Sequence, residues 1–280
     1  MPTLSFDGDK PEEMKVLRMA AMLAPADGPG TLLRQGQTAQ VPIDRILKIE
    51  FDALHIPVDE QKKIRGSYEK CVEGLADRLK SRFGGDIGKA EEAKIFEYLS
   101  EVFRNDFGAK FDNYSLVAYA FQGKPFNCYS SSVVLADALI RAGMQISLVM
   151  APQHVFLVGK SYAFQTTHKT GIVFPRSQLE TSHPKRQELG VESFVYITYN
   201  WAGSVLKHNG RLEESIKALD EAIKINPNNE EVWFNKGYTL YRMGRTEESS
   251  AAFGRGMDIA SAHVALLRCR GRQSAAQMGA

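Results

Sequence analysis

The apolar positions of this 280-residue chain change period along its length, and the change divides it into stretches of different structure. From Val58 to Phe83 they recur at Ile64, Tyr68, Cys71, Leu75 and Leu79, and from Ile87 to Phe107 at Ala93, Phe96, Leu99, Val102 and Phe103. Steps of three and four residues place such side chains on one side of an α-helix. Gly84-Gly85-Asp86 separates the two runs, and Asp86 is of a type that caps a helix start. Further on, Val133 to Ala142 predicts a helix ended by Gly143. Three runs rich in β-branched and aromatic residues follow, at Gln145–Met150, His154–Val158 and Tyr162–Thr166, and read as strands. Two stretches resist assignment. Ile43 to Leu54 has apolar residues at 43, 46, 47, 49, 51 and 54, which fits neither period, and Lys169 to Gly190, with Pro175 and Pro184, reads as a loop.

The last third repeats. Asn209-Gly-Arg-Leu-Glu-Glu-Ser215 lies over Met243-Gly-Arg-Thr-Glu-Glu-Ser249 at a shift of 34 residues, which also sets Tyr199 over Trp233, Gly203 over Gly237 and Leu206 over Leu240. Each unit reads as two helices. The first runs from about Phe194 to His208 and is ended by Gly210; the second runs from about Leu212 to Ile225 and is stopped by Asn226-Pro227. Glycine inside a helix costs about 1 kcal/mol against alanine, so Gly203 and Gly237 imply close approach of helix backbones. The pattern resembles the tetratricopeptide repeat over about residues 194–260, with Ser261 to Arg270 as a capping helix and Ser215 and Ser249 where the family carries alanine. That resemblance implies a solenoid groove for a protein or peptide partner, or two repeats that buttress the neighbouring domain.

The middle of the chain holds the chemistry. Cys128 stands at or just before a helix start, where free amides and the helix dipole favour a thiolate, and His154 opens a strand 26 residues later. Asn127-Cys128, the helix ending at Gly143, Pro152-x-His154-Val-Phe and Phe164-Gln165-Thr166-Thr167 together resemble the transglutaminase-like, papain-like superfamily over about residues 87–175. The resemblance implies Cys128 as nucleophile, His154 as its base and acid, and a third residue that orients the imidazole. At that third place stands Gln165 where the family has an acid. An amide oxygen can fix the tautomer but supplies no negative charge to stabilise imidazolium. Candidate oxyanion donors are the backbone N–H of Cys128 and the side chains of Gln122 and Asn127. His168 is a polar neighbour by sequence, whereas His55, His183, His208 and His263 have no evident partner.

Together these readings give an α+β chain: an N-terminal extension (1–57), a transglutaminase-like core of helices on a small antiparallel sheet (58–190), and an all-α segment of two tetratricopeptide repeats with a capping helix (191–280). The expected function is cysteine-dependent acyl transfer, chiefly hydrolysis of a peptide, isopeptide or other amide bond, with the repeats recruiting the partner. The alternative is an inactive scaffold serving as an interaction module. Composition narrows the rest. A balance of 35 Lys+Arg against 33 Asp+Glu gives no general attraction to nucleic acid, and the tail Arg268-Cys269-Arg270-Gly271-Arg272 has no aromatic platform beside its arginines. Three cysteines make no disulfide framework and no zinc spacing, so neither metal nor cofactor is expected and the reducing cytosol is the expected compartment; Cys71 reads as core and Cys269 as surface. No apolar run is long enough to span a membrane, and Lys15 to Ala26 reads as a short amphipathic helix rather than a leader.

Overall fold

The computed structural model describes residues 40–106, 116–151, 154–166, 171–182 and 187–278. The segment 15–26, His168 and His183 lie outside them, as do the side chains of His263 and Cys269. Ten α-helices occur among these residues: α1 Ile43–Leu54, α2 Val58–Phe83, α3 Glu92–Asp106, α4 Val117–Ala120, α5 Cys128–Arg141, α6 Arg176–Ser182, α7 Phe194–His208, α8 Leu212–Ile225, α9 Glu230–Arg242 and α10 Thr246–Met278. Five strands form one sheet: β1 Ser147–Ala151, β2 His154–Val158, β3 Tyr162–Gln165, β4 Ile172–Pro175 and β5 Gln187–Leu189, in the order β4-β3-β2-β1-β5 with every neighbouring pair antiparallel. The whole is a mixed fold, helices with a small antiparallel sheet, followed by an all-helical repeat segment. No helix among the described residues is long and apolar enough to cross a membrane.

Helix α5 is the centre of the first part. It begins at Cys128, five residues before the start expected from apolar periodicity, because Asn127 caps it: the Asn127 side chain accepts the Ser130 N–H at 2.8 Å while Ser130 Oγ accepts the Asn127 N–H at 2.9 Å. Every residue from Cys128 to Leu139 is buried. Its polar members are all bonded inward, with Asp137 accepting from Tyr68 of α2 at 2.7 Å and from Arg141. The sheet lies against this helix. Its two faces follow the alternation of the strands: Leu148, Val155, Leu157 and Phe164 join the helical core, whereas Val149, Ala151, Phe156, Val158 and Ala163 pack on Leu179 of α6.

Two stretches differ from expectation. Residues 43–54 form a helix because its sides meet different neighbours: Ile46, Leu47 and Phe51 enter the main core, while Ile49 and Ala53 pack on Val195, Ala202 and Leu206 of α7. A helix with a second buried side has no clean amphipathic period. Between 171 and 189, where the sequence reads as loop, stand β4, α6 and β5; short edge strands carrying Pro175 and Gly190 at their ends lack the length on which a period can be recognised.

The repeats follow their sequence closely. Helices α7 and α8 match the expected bounds, and Gly210 and Gly244 take φ 76° and 73°, the left-handed turn each unit needs between its helices. A Cβ on Gly203 would meet Leu219 at 2.7 Å, and one on Gly237 would meet Phe253 at 2.9 Å. Ser215 and Ser249 are explained by the same geometry, since each hydroxyl donates to the carbonyl of the glycine opposite, at 2.7 and 2.8 Å. The expected separate capping helix from Ser261 is instead a continuation of α10 from Thr246, because no Gly, Pro or Asn stands between residues 257 and 270 to stop it.

Candidate functional site

The ladder between β2 and β3 ends at Phe156↔Gln165, and the head of α5 fills the slot beyond it. There the Val155 N–H turns to the Cys128 sulfur, and Thr166 Oγ1 donates to the Cys128 carbonyl at 3.1 Å. Three amides point at the sulfur, those of Val155, Tyr129 and Cys128 itself. His154 shares a face of β2 with Phe156, their rings 6.0 Å apart, and Gln165 stands opposite Phe156 on that face. His154 and Gln165 thus share the sheet face of Phe156, whereas the parts of β2 and the end of β3 that meet Cys128 are the Val155 amide and Thr166.

The thiol is not a resting thiolate. Cys128 is only 6% exposed, and its burial raises the thiol pKa, a cost that the three amides offset only in part and that the negative charge of Glu231 increases. Desolvation outweighs the favourable helix start on which the sequence expectation rested. Of the expected oxyanion donors, the Cys128 amide is at the sulfur, whereas Gln122 is exposed on the turn after α4 and donates to Glu60 at 2.6 Å. Asn127 is buried; its oxygen caps α5, and its Nδ2 has no hydrogen-bond partner among the described residues. Cys71, on the half-buried side of α2, has a thiol pKa raised mainly by burial, in keeping with a core role.

The neighbourhood of Cys128 extends into the repeats, through residues the motif reading does not reach. Tyr129 stacks on Trp201 of α7, with centroids 6.4 Å apart, and bonds Thr198 at 2.6 Å. One side of α7 carries Tyr196, Asn200 and Lys207, and one side of α9 carries Glu231, Asn235, Tyr238 and Arg242, all at steps of three, four or seven. They form a ladder. Asn200 Nδ2 donates to Glu231 at 3.4 Å, Asn235 Nδ2 to Asn200 at 2.9 Å, and Lys207 Nζ to Asn235 at 3.1 Å while lying 5.0 Å from the Tyr238 ring centre. Tyr196 reaches the sheet, donating to Met150 Sδ at 2.9 Å. Glu231 is exposed, and its pKa is raised by desolvation against the Asn200 hydrogen bond and the charge of Lys207. Lys207 is lowered to about 8 by its enclosure and by Arg242. The signal was available in the sequence as a polar stripe on the first helix of each unit, at 200 and 207 and again at 231, 235 and 242.

Comparison with known proteins bears on the repeats. A TPR repeat model matches residues 203–244, and a tetratricopeptide repeat model matches residues 230–263. An uncharacterised protein of Methanocaldococcus jannaschii is 33% identical over 61 residues, 22% of this chain and 71% of that protein. Residues 203–263 carry tetratricopeptide repeats. In this repeat protein the matched segment takes in α8 and α9, and neither model reaches Cys128 or the sheet. No solved structure matches the chain.

Proposed function

We propose that this repeat protein binds a polypeptide partner in the groove of its repeats and acts on it at Cys128, as a transglutaminase-like thiol enzyme that hydrolyses a peptide, isopeptide or other amide bond. The observation that carries the reading is the convergence of three amides on the Cys128 sulfur, at a helix head that meets β2 and Thr166. Because the thiol is neutral at rest, its proton passes to the His154 imidazole as the sulfur bonds to the acyl carbon. The imidazolium then gives that proton to the leaving amine, and water releases the acyl group. Gln165 orients the ring through its amide oxygen, and the Cys128 amide with Asn127 Nδ2 receives the oxyanion.

A second reading, a scaffold that binds without chemistry, is favoured by one observation: burial keeps the Cys128 thiol protonated, while a neutral Gln165 stands where the resemblance calls for an acid. The two part on thiol reactivity. With Cys128 followed by peptide mapping after iodoacetamide treatment, H154A is expected to slow its labelling about tenfold or more while Cys71 is unaffected. Equal rates in the two proteins would leave the scaffold.

A further inference from the structure

The side chain of β3 that turns toward Cys128 belongs to Thr166 rather than Gln165. Successive side chains of a strand point to opposite faces. In the ladder of β2 and β3, Leu157↔Phe164 is the pair that joins the helical core, and Phe156↔Gln165 lies on the other face. Thr166, one step beyond Gln165, therefore shares the face of Phe164 and is fully buried there. A hydroxyl has one proton and a carbonyl only accepts, so the 3.1 Å bond from Thr166 Oγ1 to the Cys128 carbonyl uses that proton. The Ser132 hydroxyl, equally buried and 3.4 Å from Thr166 Oγ1, is then the donor of that second pair. The result is a chain from Ser132 through Thr166 to the Cys128 carbonyl. That carbonyl belongs to the same planar peptide unit as the Tyr129 N–H, one of the three amides at the sulfur. A hydrogen bond accepted by the oxygen of a peptide unit polarises it and makes its N–H a stronger donor.

We propose that Thr166 is a positioning residue for the Cys128 thiolate, acting through the peptide unit between Cys128 and Tyr129. The proposal rests on the reading of Cys128 as a reactive thiol. The Thr166 bond has two effects. It strengthens the Tyr129 N–H as a donor, and that gain is largest when the sulfur carries a negative charge. It also aligns elements: the Val155 N–H comes to the sulfur from β2 and the other two amides from α5, and Thr166 ties the end of β3, the neighbour of β2, to α5 at the same residue. Burial opposes the thiolate, so each donor held in line offsets part of that cost.

Hydroxyl-specific variants of the full-length protein test this. Cys128 alkylation by iodoacetamide is followed by peptide mapping across pH 6.5 to 10.5, and the readout is the midpoint of the pH profile. Valine keeps the shape of threonine without its hydroxyl, and serine keeps the hydroxyl. T166V is expected to raise the midpoint by about half a pH unit or more, which slows alkylation at pH 7.5 about threefold, while T166S keeps the wild-type midpoint. S132A, which removes only the hydroxyl behind Thr166, is expected to move the midpoint less in the same direction, and it carries the test where T166V does not fold. Glu231, whose charge acts on the thiol, and His154, at the head of β2, are present in all of these proteins, so differences among them read the hydroxyl chain. Lost packing alone would lower the melting temperature and leave the midpoint in place. Equal midpoints in wild type and in the hydroxyl-free variants, or a T166S midpoint raised as far as that of T166V, overturn the assignment. A raised midpoint in T166V together with unchanged labelling in H154A keeps Thr166 as a positioning residue and removes the acyl-transfer reading; slowed labelling in H154A with an unmoved midpoint in T166V does the reverse.

Discussion

Glu50 shows how a single buried charge is tolerated and what it costs. It is fully buried on α1 and receives the N–H groups of Val117 and Ala118 at 3.1 and 2.6 Å, with the Tyr129 hydroxyl at 3.5 Å. Burial raises its pKa from an ordinary 4.5 to about 8, against the pull of those three donors. An acid whose pKa is higher folded than unfolded binds more protons in the native state, so stability is greatest below about 4.5 and falls as pH rises toward about 8. Thermal unfolding followed by circular dichroism from pH 5 to 8.5 is expected to show that fall in the wild type and a flatter profile in E50Q. A parallel decline in both would place the titration elsewhere. The residue also marks what the sequence hides: a glutamate among apolar positions obscured the helix at 43–54, because the amides it caps lie more than sixty residues away.

Among elements, the paired helices of each repeat depend on glycine where another helix crosses. Gly237 would place a Cβ 2.9 Å from the Phe253 ring, whereas Gly254, one residue beyond that phenylalanine, has nothing within 4 Å of such an atom. The same substitution should therefore have opposite signs at the two positions. G237A is expected to cost about 1–3 kcal/mol through overpacking, and G254A to add up to about 1 kcal/mol through helix propensity, both read from urea midpoints. Loss of stability in both would mean that Phe253 is not what excludes the methyl group. These elements were legible in advance because glycine, proline and a 34-residue period are local signals. The strands β4 and β5 leave no such signal, since three or four residues at a sheet edge carry no period, and three serines interrupt the apolar run at the start of α5. Of the candidate site, Cys128, His154 and Gln165 were readable as an ordered set of residue types. The burial that keeps the thiol protonated depends on contacts between distant segments.

Over the whole molecule, repeats and sheet are joined by a buried seam. Ile49 and Ala53 of α1 pack on Val195, Ala202 and Leu206 of α7, and Tyr129 of α5 packs on Phe194 and Trp201. Differential scanning calorimetry is accordingly expected to record one cooperative transition with equal calorimetric and van't Hoff enthalpies. Two resolved transitions would show that the seam does not couple the halves. The seam also sets an order on assembly. Helix α1 receives Arg211 at its Ala53 carbonyl, a partner 158 residues further along the chain. At ordinary rates of synthesis α1 waits roughly 10–30 s after leaving the ribosome before that partner exists. Through most of that interval Ile49 and Ala53 have no native surface to cover them, so the earliest of the described helices to be made is among the last to be fully seated.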